Sequence, residues 1–434
     1  MTPWRRTWLS LALAGVMLGG PAAAQILGPV GGVVGRLPDI GQTVGGATGV
    51  LGRTDGVVDR AVDPQALLDA RLRRLGQMVA RNRQLLEADP AGNPVLRGQV
   101  VALGVAPEAL AAARAAGFSI REQRSLGSLG LQMTVLTAPD GVSAQDALRR
   151  LRRLDPSGDY DFNHLYLGSG GAGGAPQASD LGAGPPPASG ARLGLVDTGV
   201  AASLPVFAGV AIEQRGFAAP APRPDAHGTA TASLISGRLG GYHGAAPGAA
   251  LYVADIYGGS LTGGSAGALA AALDWMAEVD VPVVNVSLVG PPNALVGAAV
   301  KALSRRGARI VAPVGNDGPA APPAYPASYP EVIAVAPVDA RGHVLPEAGR
   351  ALHVDFAAPG AGIRAADLAG RLATVRGSSF AAPIVAGRLA LRLRRTDPGA
   401  AAEAVADLAR EARPAGREAG HGVIGEDVRL AAGR

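Results

Sequence analysis

Four polar side chains, widely separated along the chain, have the types that build a nucleophile. Asp197 ends the apolar run LGLVDTGV, and His227 opens a helical pattern in DAHGTATASLISG. Asn316 sits on a Gly-bounded turn in VAPVGNDGP, and Ser379 begins a second helical pattern in GSSFAAPIVAG. A serine hydroxyl attacks poorly until an imidazole accepts its proton, and that imidazole needs a carboxylate to fix its tautomer and stabilise its charged form. The oxyanion that follows needs donors already aimed at it. The Ser379 N–H at a helix N-terminus is one candidate, and the Asn316 side-chain amide is the second. Alone, an Asp ending a strand is a turn residue and a His-Gly-Thr run is a helix cap. In the order Asp, His, Asn, Ser they predict serine-based nucleophilic catalysis.

The elements around them predict an α/β fold. ARLGLVD, GAALYVADIY, VPVVNVSLV, RGARIVAPV and EVIAVAPVD are apolar runs that alternate with helical patterns, the signature of a parallel sheet with helices on both faces. In such sheets reactive groups gather where strands end and helices begin. Pro383 is expected within the first turn of the Ser379 helix, where proline is tolerated. Residues 98–167 give a different order. QVVALGV is a strand, PEALAAARAAG a helix from Pro107 to Gly117, and FSIREQRSL and LQMTVLTA two strands. SAQDALRRLRRL is a helix with Ser143 and Asp146 in a capping-box pattern, and DYDFNHLYL closes the unit as a strand. That βαββαβ order predicts a small ferredoxin-like α+β sandwich. Before it, residues 61–90 carry an amphipathic helix from Pro64 to Ala88, with Leu68, Leu72, Leu75, Val79 and Leu86 on one stripe and Arg71, Arg74 and Arg81 opposite.

With 434 residues, 48% of them apolar, the chain is long enough for two folded units. Residues 1–24 read as a secretory signal peptide: Arg5 and Arg6, then the apolar run Trp8–Leu18, then Ala22-Ala23-Ala24. The apolar run is too short for a membrane anchor. The expected location is therefore periplasmic or extracellular, with no transmembrane segment after cleavage. Residues 25–60 are a Gly/Val-rich spacer, and 168–190 a Gly/Ser/Pro linker. The absence of cysteine excludes disulfides, thiolate metal sites and a cysteine nucleophile. The net charge of +5 comes almost wholly from scattered arginines, Lys301 being the only lysine, so nucleic acid is not expected as a partner.

At these residues the chain resembles the subtilisin-like serine proteases. The matching runs are VDTGV, HGTATASLISG, GAAPGAALYVADIYG, VVNVSLVGP, PVGNDG, YPASYPEVIAVAPVD, FAAPG, GSSFAAPIVAG and GHGVIGEDVRLA, spread over 191–434. The resemblance implies a subtilisin-like peptidase domain with Asp197, His227 and Ser379 as the triad and Asn316 in the oxyanion hole. Ser378 stands where the family often has threonine. The resemblance further implies that the ferredoxin-like unit is a prodomain, an intramolecular inhibitor cut off near Leu167–Gly168. Protein or peptide substrates would bind as an extended strand along Ser287, Leu288, Val289 and Gly290 and around Gly258–Gly264.

Two departures from the family pattern bear on specificity. Val289 replaces a usual glycine and Pro313 a usual small residue, so the primary pocket, with its base near Ala324, is expected to be narrow and to favour small or medium apolar side chains. Phe380 stands where methionine is frequent. Structural calcium is common in such proteins, but no acidic loop names its ligands, and no other cofactor or metal site is identified. The run GGSAG, Gly263–Gly267, matches a nucleophile elbow, against which stands the simpler reading of a Gly-rich rim loop. His243, His343, His353 and His421 read as surface or satisfied histidines. The alternative to an enzyme is a catalytically silent exported binding or signalling module on the same fold.

Overall fold

A computed structural model describes residues 63–168, 171–172 and 190–430. The signal peptide, the spacer 25–60 and most of the linker lie outside these residues. The first described helix, α1 (Pro64–Arg81), starts at the N-cap Asp63, whose carboxylate accepts from Gln65 N–H. It is shorter than its apolar stripe predicts. Asn82 ends it, and Leu86 belongs to a short strand, β1 (Leu86–Ala88), that pairs with β2 (Pro94–Leu103).

The unit continues through α2 (Pro107–Ala115), β3 (Ser119–Leu126), β4 (Leu131–Thr137), α3 (Ala144–Leu154) and β5 (Asp159–His164). Ser143 caps α3 by accepting from Asp146 N–H at 3.1 Å. Strands lie in the order β5-β2-β4-β3, all antiparallel, with β1 as a fifth strand absent from the sequence expectation. One face of this sheet, with Val100, Ala102 and Leu136, buries Leu110 of α2 and Leu148 and Leu151 of α3. The other face, with Val101, Met133 and Val135, joins the core of the large domain.

Two short strands follow, β6 (Leu167–Gly168) and β7 (Gly171–Ala172). The large domain then contains β8 (Arg192–Asp197), β9 (Ile212–Gly216), α4 (Ala226–Ser236), the hairpin β10 (Arg238–Leu239) and β11 (Tyr242–His243), and β12 (Ala250–Asp255). Next come α5 (Ala266–Glu278), β13 (Val283–Val286), β14 (Leu288–Val289), α6 (Ala294–Arg305), β15 (Arg309–Pro313), β16 (Val332–Val338) and β17 (Phe356–Pro359). Last are β18 (Ile363–Ala366), β19 (Leu372–Arg376), α7 (Ser378–Ala390), α8 (Pro398–Glu411) and α9 (Glu426–Leu430).

Seven parallel strands form the central sheet in the order β17-β16-β15-β13-β8-β12-β9. Successive residues of a strand face opposite sides, and the core divides accordingly. Val284, Ile310 and Ala334 pack with α5 and α6, while Val283, Val311 and Ile333 pack with α4 and α7. The connections reverse direction at β8, whose neighbours are β12 and β13. The carboxyl end of a strand at such a reversal is where open α/β sheets place ligands, and Asp197 is the last residue of β8. Among the described residues no helix is long and apolar enough to cross a membrane.

Candidate active site

Asp197, buried at the end of β8, accepts from Thr198 N–H at 2.7 Å and lies 2.8 and 2.9 Å by its two oxygens from His227 Nδ1. His227 occupies the first turn of α4, held there by the N-cap Asp225, which accepts from His227 N–H. Its Nε2 is 2.9 Å from Ser379 Oγ. Since a carboxylate can only accept, Nδ1 carries the proton and Nε2 is left to accept from the serine. Burial works against charge on this imidazole, but the Asp197 carboxylate, by its charge and its hydrogen bond, more than offsets that and raises the pKa above the ordinary histidine value. The Phe380 ring packs beside His227, centroids 5.4 Å apart.

Ser379 is the second residue of α7, so its N–H is among the first four, which have no partner inside the helix. Asn316 Oδ1 accepts from Ser378 N–H at 2.9 Å. A backbone N–H only donates, so that bond fixes the amide with its oxygen on the helix and Nδ2 turned elsewhere. Because the helix begins at Ser378, Pro383 falls in its second turn rather than its first. It has no N–H for the carbonyl four residues earlier, which is that of Ser379. Ser287 Oγ donates to this carbonyl at 3.1 Å and itself accepts from Asn285 Nδ2 at 2.6 Å. Ser287 is thus buried under the helix, and its hydroxyl does not face the cleft.

A segment of the chain itself runs through the cleft as an extended strand. β6 pairs antiparallel with β14, Leu167 opposite Val289 and Gly168 opposite Leu288. Upstream, Tyr166 N–H donates to Gly264 O at 2.7 Å, and Tyr166 O accepts from Tyr257 Oη at 3.0 Å. The Tyr166 ring lies so close to Gly290 that a Cβ there would sit 2.6 Å from it. Downstream, Gly171 and Ala172 pair with Arg376 and Val375 of β19. At the end of the first stretch, a Cβ on Gly168 would come 4.0 Å from His227 Nε2. Ser265 of the elbow-like run caps α5 by accepting from Ala268 N–H and bridges to Leu165, so it serves the rim.

Beside the strand is a cavity of about 240 Å³, bordered by Val289, Gly315, Asn316 and Ala324. A Cβ on Gly315, whose φ is +88°, would lie 3.7 Å from both Val289 Cγ1 and Ala324 Cβ, so the space between them is small. Pro313 does not border the cavity as expected. It is buried at the end of β15, and Val314 and Gly315 take the lining position. Leu288 is likewise buried and presents its backbone. Sequence reasoning missed Glu347, which makes paired bonds of 2.6 and 2.9 Å to Arg376 and whose carbonyl accepts from Gly318 N–H beyond Asn316. Among the described residues no three or more His, Asp or Glu side chains stand together as a metal-holding group.

An enzyme that hydrolyses extended peptide through a serine is the class this fold and cleft define. The chain belongs to the subtilase family, whose model matches residues 188–422. It is 31% identical to Subtilisin Savinase of Lederbergia lenta over 212 residues, which is 47% of this chain and 76% of that protein. It is 33% identical to thermitase of Thermoactinomyces vulgaris over 220 residues, 49% of this chain and 77% of that protein. Among solved structures, fervidolysin from Fervidobacterium pennivorans, a keratinolytic enzyme related to subtilisin, superposes with a TM-score of 0.64. At 19% identity, over 78% of this chain and 61% of that one, this is a likeness of fold. As a member of the family the protein is a serine endopeptidase acting on proteins or peptides.

Proposed function

We propose that the protein is an exported zymogen whose triad is Asp197, His227 and Ser379 and whose oxyanion hole is the Ser379 N–H with Asn316 Nδ2. His227 takes the Ser379 proton as Oγ attacks the carbonyl carbon, forming a tetrahedral oxyanion. It then gives that proton to the departing amine, leaving an acyl-enzyme that water hydrolyses by the same route. The observation that carries this reading is the unbroken sequence Asp197–His227–Ser379 at 2.8 and 2.9 Å, with a peptide strand passing in front of it.

That strand is the protein's own, and the segment up to Gly168 is its inhibitor. Because β6 and β7 engage opposite sides of the site, maturation cuts bond 168–169, 169–170 or 170–171, just beyond the Leu167–Gly168 position expected from sequence. The leader pattern of residues 1–24 supports export. The test is intact mass and N-terminal sequencing of the active protein, with fluorophosphonate labelling compared between wild type and Ser379→Ala. A new N-terminus at Ser169, Gly170 or Gly171 and labelling lost in the variant are expected. An uncut chain in an active sample would sink the zymogen reading, and unlabelled, cut protein would sink the catalytic one.

A further inference from the structure

The N-terminal helix α1 precedes the ferredoxin-like unit and is not needed to complete its sheet, yet it reaches the rim of the active site. Arg71 Nε lies 3.2 Å and Arg74 Nη2 2.8 Å from the two oxygens of Asp317, the residue after Asn316. All three side chains are largely buried, at 14%, 24% and 19% exposure, which limits screening by water. Arg71 Nη2 also donates to Asn93 Oδ1 at 3.0 Å, tying the helix to the start of β2. Leu67, one turn earlier, packs on Gly318, where a Cβ would lie 2.7 Å from Leu Cδ1. Further along the helix, toward its C-terminal end, Met78 and Val79 pack against Leu86, Leu96 and Leu165, and Leu165 is the residue just before the strand in the cleft. One helix therefore holds both the loop that carries the oxyanion residue and the root of the inhibitory strand.

Building on the zymogen reading above, we propose that α1 is a separable latch. Arg71 and Arg74, gripping Asp317, keep the cut segment in place, so that release of the latch, not the cut, sets when activity appears. A segment attached at several points dissociates only when all let go, since each intact contact holds the others at high effective concentration. Removing one contact speeds release without touching the bond-breaking geometry. Because these charge pairs are largely buried, salt screens them only weakly, and their loss is read in the rate of release.

Both arginines lie on the part that is cut away, so wild type and an Arg71→Ala/Arg74→Ala variant yield the same mature enzyme. The full chain is refolded from denaturant and sampled for the cut by intact mass and for activity with a chromogenic peptide. The variant is expected to be cut at the wild-type rate and to shorten the delay between cut and activity roughly tenfold, the effect of about 1.4 kcal/mol of lost binding. Should the double variant not be cut, Arg74→Gln, which keeps the Arg71–Asn93 bond, carries the test, and its delay must fall. A delay equal to wild type in the variants overturns the latch alone. Activity rising in step with the cut in wild type overturns the inhibitor reading beneath it as well.

Discussion

At the scale of single residues, the site sets the pH at which the enzyme works. As the proposed base His227 acts only when neutral, and its pKa lies above the ordinary histidine value because Asp197 outweighs the cost of burial. Activity should therefore fall as pH drops through that raised pKa, with an acid limb displaced toward neutral and alkaline pH. Asp197→Asn should move the limb of kcat/KM to lower pH. It should also cost roughly 10⁴-fold in kcat, a loss known from other serine proteases, subtilisin among them. A limb that does not move would show that Asp197 acts on His227 by orientation alone. Asn316→Ala should cost roughly 10²–10³ in kcat with little change in KM, the size found for one such donor in subtilisin. A single side chain, Val289, with Ala324 closes the space over Gly315, and the proposed primary pocket makes it the determinant of specificity. Val289→Gly should raise kcat/KM for a peptide with Phe at the cleavage position by roughly tenfold or more over one with Ala, since a few methylenes of pocket space are worth that much. An unchanged Phe-to-Ala ratio in a peptide library would place the primary pocket elsewhere.

At the scale of elements, the helix that carries Ser379 contains a proline in its second turn, and the residue between β13 and β14 answers it. Ser287 Oγ supplies the Ser379 carbonyl with the donor that Pro383 lacks. Ser287→Ala leaves that buried carbonyl without its side-chain donor, at a cost of about 1–3 kcal/mol. A lowered Tm together with a lowered kcat is expected, whereas a residue that merely contacted substrate would raise KM and leave Tm alone. The starts of α4 and α7 and five strands of the central sheet were legible in the sequence, because near-continuous apolar runs alternating with helical patterns and ending in polar residues have few other meanings. The role of Ser287 was not, since Ser-Leu-Val reads equally well as a strand that lines a cleft. The end of α1 was hidden for a related reason. Leu86 lies seven residues after Val79 and fits the helical stripe, yet it enters the same apolar cluster from β1. Likewise β9 has only one strongly apolar residue, Ile212, in IEQRG, and gave no strand signal.

At the scale of the whole molecule, the order of its parts was readable but their contacts were not, because those contacts join residues of opposite ends. Arg71 and Asp317 are 246 positions apart, and neither has a local pattern that names the other. The same holds where the ferredoxin-like unit meets α6. Asp161 Oδ2 accepts from Ala294 N–H there, and Asn293 Nδ2 donates to Phe162 O and lies 3.1 Å from the buried His164 ring. The tail, the sheet face and α1 thus hold the segment at three places that differ in kind, and a tail variant should behave unlike a latch variant. Tyr166 is fully buried between Gly264 and Gly290, its hydroxyl donating to Pro291 O at 3.0 Å. Truncating a buried aromatic of this size costs about 3–5 kcal/mol, and here the loss falls on the strand proposed above to present the scissile bond to Ser379. Tyr166→Ala should therefore slow the cut itself, by a hundredfold or so on that scale, and also hasten release of whatever is cut. Loss of Arg71 and Arg74 should hasten release alone. Intact-mass time courses beside the chromogenic assay separate the two, and a Tyr166→Ala chain cut at the wild-type rate would mean that the sheet face, not the tail, aligns the bond.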